Sequence, residues 1–96
     1  MHFISAKKLR EFWDKRPDAE SALRGFQNIV EHTNFDSFAD LRRTFPSADQ
    51  VGKLTVFNIG GQKYRLIAAI HYNTQKFYVR YILTHQDYDR IHWQDG

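Results

Sequence analysis

Lys63, Arg65 and Arg80 place three cations in one strand-rich stretch, and His85 and Tyr88 follow, three residues apart. Guanidinium and ammonium groups gathered on one surface bind phosphate, the arginine fork in two-pronged fashion. An imidazole and a phenol beside them add groups that can move protons. Together these residue types fit a surface that binds an anion and handles protons. Taken singly they have plainer roles: cations keep an exposed sheet soluble and its edges unpaired, and a histidine at a helix start often only packs or caps.

The elements that must position these residues lie between Val56 and Tyr88, VFNIGGQKYRLIAAIHYNTQKFYVRYILTHQDY. Gly60-Gly61 is a two-residue hairpin signal and Asn73–Lys76 a polar turn, so the stretch reads as three antiparallel strands running into a short helix. With Thr74 and Gln75 at the tip, Ile70 pairs with Val79, Ala69 with Arg80, Ile67 with Ile82, Arg65 with Thr84 and Tyr64 with His85.

Strand alternation then sorts the side chains. One face carries Tyr64, Leu66, Ala68, Ile70 and Tyr72 against Phe77, Val79, Tyr81 and Leu83, apolar enough to be core. The other carries Lys63, Arg65, His71, Tyr78, Arg80 and Thr84, with Arg65 and Arg80 as diagonal neighbours whose repulsion an anion would relieve. Ile67, Ala69 and Ile82 share that second face, which predicts that part of it is covered. Tyr78, Tyr88 and Trp93 are aromatic surfaces on which bases can stack.

Thr84 followed by Asp87 predicts a capped helix directly after the third strand, with His85 in its first turn and Asp89 one turn on, where it can orient the imidazole. The helix dipole favours the neutral ring that a base requires, and the carboxylate opposes it. The five histidines, at positions 2, 32, 71, 85 and 92, form no HxxxH, and carboxylates are sparse in this half; chemistry without a metal or other cofactor is expected. Gly60-Gly61 is a turn and not a phosphate loop, since a strand follows it and no GxxxxGK[ST] surrounds it.

The first half of the chain is helical in pattern. His2–Ile4 reads as a short strand, and Ser5 as the cap of a helix over Ala6–Lys15 with Leu9, Phe12 and Trp13 inward. Pro17 ends that helix or begins the next, over Asp18–His32, whose Ala19, Ala22, Leu23, Phe26, Ile29 and Val30 form one apolar face. A short third helix, capped by Asp36 or Ser37, presents Phe38, Leu41 and Phe45 before Pro46, and Ser47–Lys53 reads as a loop.

Helices first and strands second make the class α+β, with a small antiparallel sheet of three C-terminal strands and a possible short N-terminal one, packed on two to three helices. Ninety-six residues, 42% hydrophobic, suit a single domain over 1–96. The excess of 14 Lys and Arg over 11 Asp and Glu arises wholly after residue 50, six cations against three acids, which favours a polyanionic partner such as RNA, DNA or an acidic protein. With no cysteine and no apolar run of membrane-spanning length, a soluble cytoplasmic protein is expected.

FNIGGQKYRL and YVRYILTHQDYD, with ISAKKLREFW and SFADLRRTFPSAD upstream, resemble the HigB toxins, a branch of the RelE/ParE superfamily, over nearly the whole chain. The resemblance implies a RelE-like fold and a toxin of a type II toxin-antitoxin pair that cleaves mRNA in the ribosomal A site without a metal. It also implies neutralisation by a HigA-type helix-turn-helix antitoxin, the toxin being a monomer when free and part of a hetero-oligomer when bound.

By position it assigns Arg65 and Arg80 to stabilising charge in the transition state and Lys63 to phosphate binding or base-like activation. His85 or Tyr88 takes proton transfer, and Lys53 and His71 RNA contact; Tyr78, as a ring on which a base can stack, is the third RNA-contact candidate. The alternatives are a ParE-like toxin that binds DNA gyrase without RNA chemistry, and an inactive RNA- or antitoxin-binding module.

Overall fold

A computed structural model describes residues 1–61 and 63–90. The order is β1 (His2–Ile4), α1 (Ala6–Lys15), a 3-10 turn (Pro17–Ala19), α2 (Glu20–Glu31), α3 (Phe38–Thr44), β2 (Asp49–Val51), β3 (Leu54–Ile59), β4 (Tyr64–His71), β5 (Lys76–Thr84) and α4 (His85–Arg90). The strands form one sheet in the order β1-β5-β4-β3-β2. The expected α+β class holds. The sheet is mixed, however, because β1 runs parallel to β5, with Phe3 beside Phe77.

Residues 49–51, read as loop, instead make an edge strand that turns back through Gly52 and Lys53 and pairs Asp49 with Val56. Three residues are too few for alternation to show, and the turn after them, with Gly52 at φ 62°, is the only local signal. β3 and β4 are joined across residues 60–63 with Ile59 paired to Tyr64, so Lys63 belongs to the connection and not to the strand.

α1 has the expected limits, but the Ser5 side chain makes no capping bond; its backbone is left-handed, φ 76°. Leu9 and Trp13 are buried. Pro17 opens a 3-10 turn into α2, whose buried stripe is Leu23, Phe26 and Val30. Ile29, expected in that stripe, is 41% exposed, because it lies one step round the helix from Val30. α3 is capped as predicted, Asp40 N–H donating to Ser37 Oγ at 3.2 Å.

The helices cover one sheet face over an aromatic core. Phe77 is fully buried, stacked on Phe3 at 5.1 Å and packed against Phe57 at 5.6 Å and Phe26 at 5.7 Å. Tyr72 Oη is buried on this side without a hydrogen bond of ordinary geometry; burial raises its pKa, and the nearby Thr55 hydroxyl offsets part of that.

The β4–β5 register departs from expectation in a way that matters for the site. His71 pairs with Lys76 and Ile70 with Phe77, so the connection spans four residues, 72–75, and not the two expected. Gln75 closes it in the left-handed region, φ 55°. Its side-chain nitrogen donates to Phe35 O at 2.7 Å and Tyr72 O at 2.8 Å, while its oxygen accepts from Phe35 N–H at 3.3 Å. We expect Gln75→Ala to lower stability by about 1–3 kcal/mol, measured by urea unfolding, because it strips partners from partly buried backbone groups.

Further along, Ala68 pairs with Val79 but Ile67 with Tyr81, leaving Arg80 as the extra residue of a β-bulge. Two consecutive residues, Arg80 and Tyr81, then oppose one position of β4, and the alternation of β5 changes phase. Tyr81 and Leu83, expected in the helix-side core, move to the opposite face; Ile82 and Thr84 make the reverse exchange. Tyr64 pairs with Thr84 and not His85, and Arg65 with Leu83.

The second face therefore carries a small apolar cluster of its own. Ile67, Val56 and Leu83 are buried there, with Val51, Leu54, Tyr81 and Tyr88 packed around them. The cover predicted for this face is supplied by α4, which brings Tyr88 down onto the sheet.

Candidate nuclease site

Two groups of the sequence-predicted residues form on this second face, one at each end of the sheet. The first stands where β5 enters α4. Thr84 Oγ1 accepts the Asp87 N–H at 3.1 Å, the predicted cap, and so fixes the direction in which the helix leaves the strand. One turn of that helix places Tyr88 beside Arg65, whose guanidinium carbon is 5.5 Å from the ring centre. His85 is exposed, with Nδ1 3.5 Å from Asp89 Oδ2, the orientation expected from their spacing. The grouping combines a planar cation, a phenol and an imidazole backed by a carboxylate. It can hold a phosphate and move protons at its oxygens.

The second group lies at the other end of β4 and β5. His71 and Tyr78 meet edge to face at 5.2 Å, and with Ala69, Val79, Arg80, Ser5 and Lys8 they line a groove of about 380 Å³. Arg80 thus lies on the expected face but is not the diagonal neighbour of Arg65. Arg65 pairs with Leu83, three residues from Arg80, roughly 10 Å along a strand. Lys8 is the residue that sequence reasoning missed: its ammonium donates to Arg80 O at 3.3 Å, over 72 residues of separation. Only the packing of α1 on β5 brings them together, so no local pattern could reveal it.

Lys63 and Lys53 are drawn into neither group. Lys63 Nζ is 3.8 Å from Asp18 Oδ2, an exposed pair of the kind worth at most about 1 kcal/mol, so the side chain is loosely held beside the helices. Lys53 sits exposed at the β2–β3 turn, at the same end of the sheet as His71. Trp93 and His92 lie outside the described residues. Among the described residues, no three His, Asp or Glu side chains are grouped as a metal site.

Asp18 also anchors Tyr64, whose hydroxyl donates to both carboxylate oxygens at 2.8 and 2.7 Å. The hydrogen bond to Asp18, followed by burial and the carboxylate's charge, raises the Tyr64 pKa above its ordinary 10.0, with Arg16 opposing. Folding therefore favours the protonated phenol. Its contribution is complete below pH 10.0 and is lost as the pH rises through the folded value. Tyr64→Phe should be less stable at neutral pH and decline less steeply above about pH 10, read as urea midpoints across the alkaline range. Tyr72 keeps some of the decline in place, since its pKa is shifted the same way.

Comparison with known proteins places these residues in context. The profile of the HigB toxins, RelE-like toxic components of a toxin-antitoxin system, matches residues 19–91. The chain is 34% identical over 92 residues to the mRNA interferase toxin HigB of Escherichia coli, spanning 93% of this chain and 88% of that protein. The mRNA interferase HigB of Shigella flexneri is similar to the same degree. That of another Escherichia coli strain, O6:H1, is 31% identical over 94 residues, 95% of this chain and 91% of the relative.

Proposed function

The chain belongs to the HigB toxin family, the RelE-like toxic components of toxin-antitoxin systems, and we propose that it is an endoribonuclease that cleaves mRNA on the translating ribosome. The observation that carries this reading is the grouping of Arg65, Tyr88, His85 and Asp89 at the mouth of α4. The names of the relatives, mRNA interferases, support it.

The reaction needs no group beyond the chain's own. The 2′-OH of one nucleotide attacks the adjacent phosphorus, the bond to the 5′-oxygen breaks, and a 2′,3′-cyclic phosphate is left. One proton leaves the attacking hydroxyl and another reaches the departing oxygen, while negative charge grows on the phosphoryl oxygens. Arg65 meets that charge with its fork. His85, its Nδ1 turned to Asp89, presents Nε2 to the reacting oxygens, and Tyr88 supplies the second proton-active group. Arg80 and Lys63 add positive potential along the strand's path.

Residues 1–96 act as one cytoplasmic toxin domain, a monomer when free, bound in the A site when active and held inactive by a HigA-type helix-turn-helix antitoxin. Induced expression followed by mapping of RNA 5′ ends tests the reading: cuts are expected inside translated coding regions, with gyrase supercoiling activity unaffected. Intact mRNA together with blocked gyrase would establish the ParE-like mode instead, and normal growth with intact mRNA an inactive binding module.

A further inference from the structure

We infer that the groove between the start of α1 and β5, lined by Lys8, Arg80, His71 and Tyr78, is a separate subsite for a nucleotide of the RNA strand that flanks the scissile phosphate. The inference rests on RNA being the substrate.

Two cations converge there. Lys8 is held over the strand by its bond to Arg80 O, and the bulge at Arg80 turns that residue's side chain toward the same space. No carboxylate lines the groove; Glu11, in the adjoining hollow, is paired with Lys7 at 3.9 Å. Among the described residues, neither Lys8 nor Arg80 is within ion-pairing distance of an acid. Two like charges brought together in a groove without a counter-charge favour an anion between them.

The rings define the class of anion. His71 and Tyr78 meet edge to face at 84° and both line the groove beside the cations, which puts aromatic surface for stacking a base next to charge that can neutralise its phosphate. A volume of about 380 Å³ is ample for one nucleotide. The small residues Ala69 and Ser5 complete the lining and leave that space unfilled. Ala69 is four residues from Arg65 on β4, roughly 13 Å, so the groove lies well outside the Arg65–Tyr88 group. A strand bound at both ends would run along β4 and β5 from the groove to the Arg65–Tyr88 group.

The test measures binding apart from cleavage. A short all-2′-deoxy oligonucleotide lacks the attacking hydroxyl and reports affinity alone, titrated against wild type and Lys8→Ala over a range of salt concentrations. Loss of one phosphate contact should weaken binding and reduce the salt slope by about 0.7. Tyr78→Leu should weaken binding roughly tenfold with little change in that slope, since a base contact is lost and no ion pair. Thermal unfolding of each variant checks that the fold is kept, and Lys8→Arg should restore the slope.

An unchanged affinity and slope in folded Lys8→Ala would overturn the subsite. So would a loss of affinity confined to the antitoxin, which would make the groove a protein-docking surface. Cleavage of the corresponding ribo-oligonucleotide on ribosomes is measured in parallel. If oligonucleotide binding depends on Lys8 but wild type cuts no RNA, the subsite stands and the nuclease reading fails.

Discussion

Arg65→Ala is expected to slow RNA cleavage by roughly 10²–10³-fold, the usual effect of removing one group aimed at charge that develops in a transition state. Four facts about this residue lead there. It points from the start of β4 onto the face opposite the helical core, and Tyr88 stacks on its guanidinium at 5.5 Å. The strand on one side fixes its backbone through Leu83 and on the other through Asn58. The fork is thus preorganised, so little reorganisation is required when the phosphoryl oxygens become more negative. The fold should tolerate the change: a partly exposed cation–π contact is worth about 0.5–1 kcal/mol, so unfolding should shift by only a few degrees. Arg65→Lys should recover only part of the rate, because an ammonium supplies charge without the planar pair of donors. Single-turnover cleavage with wild type and both variants measures this directly. A rate for Arg65→Ala within threefold of wild type would remove Arg65 from the reaction.

How much of this was legible in the sequence divides by the range of the interactions involved. The helices, their caps at Ser37 and Thr84, and the existence of three long strands depend on residues within a turn of one another, and patterns of that range are visible in the chain. The pairing of His85 with Asp89 is of the same kind, four residues along one helix. The β4–β5 register is not. It depends on a four-residue connection held by Gln75 reaching back to Phe35, 40 residues away, and on a bulge that alternation alone cannot reveal. Because the side-chain period of a strand is two, that single extra residue at Arg80 reassigned Tyr81, Ile82, Leu83 and Thr84 to opposite faces. The cation face itself survived, since Arg65, His71 and Tyr78 lie outside the shifted segment. Lys8 and the edge strand at Asp49–Val51 were lost for a related reason: one is brought to Arg80 by packing, and the other is too short to show a period.

Phe77→Ala is the change expected to act most strongly on stability, lowering it by about 3–5 kcal/mol and the thermal midpoint on the order of 15–30 °C. The ring has no exposed surface, and Phe3, Phe26 and Phe57 all pack on it, so the cavity left behind is bounded by three elements that cannot collapse together. A domain of this size has only about 5–15 kcal/mol of net stability, which makes the variant marginal at physiological temperature. The consequence extends to the opposite face. Phe77 and Val79 press β5 onto the helices immediately before the bulge, and Phe3 aligns β1 beside it. If that anchor loosens, the register of β5 relaxes, and with it the phase that places Leu83 beside Arg65 and sends the chain into α4. Phe77→Leu separates the two effects, since it keeps most of the buried apolar volume: it should retain cleavage and lose only about 1–2 kcal/mol. Calorimetry on both variants, with cleavage measured well below each midpoint, provides the comparison. A midpoint drop of less than about 5 °C for Phe77→Ala would mean that the aromatic cluster is not what holds the sheet's two faces in step.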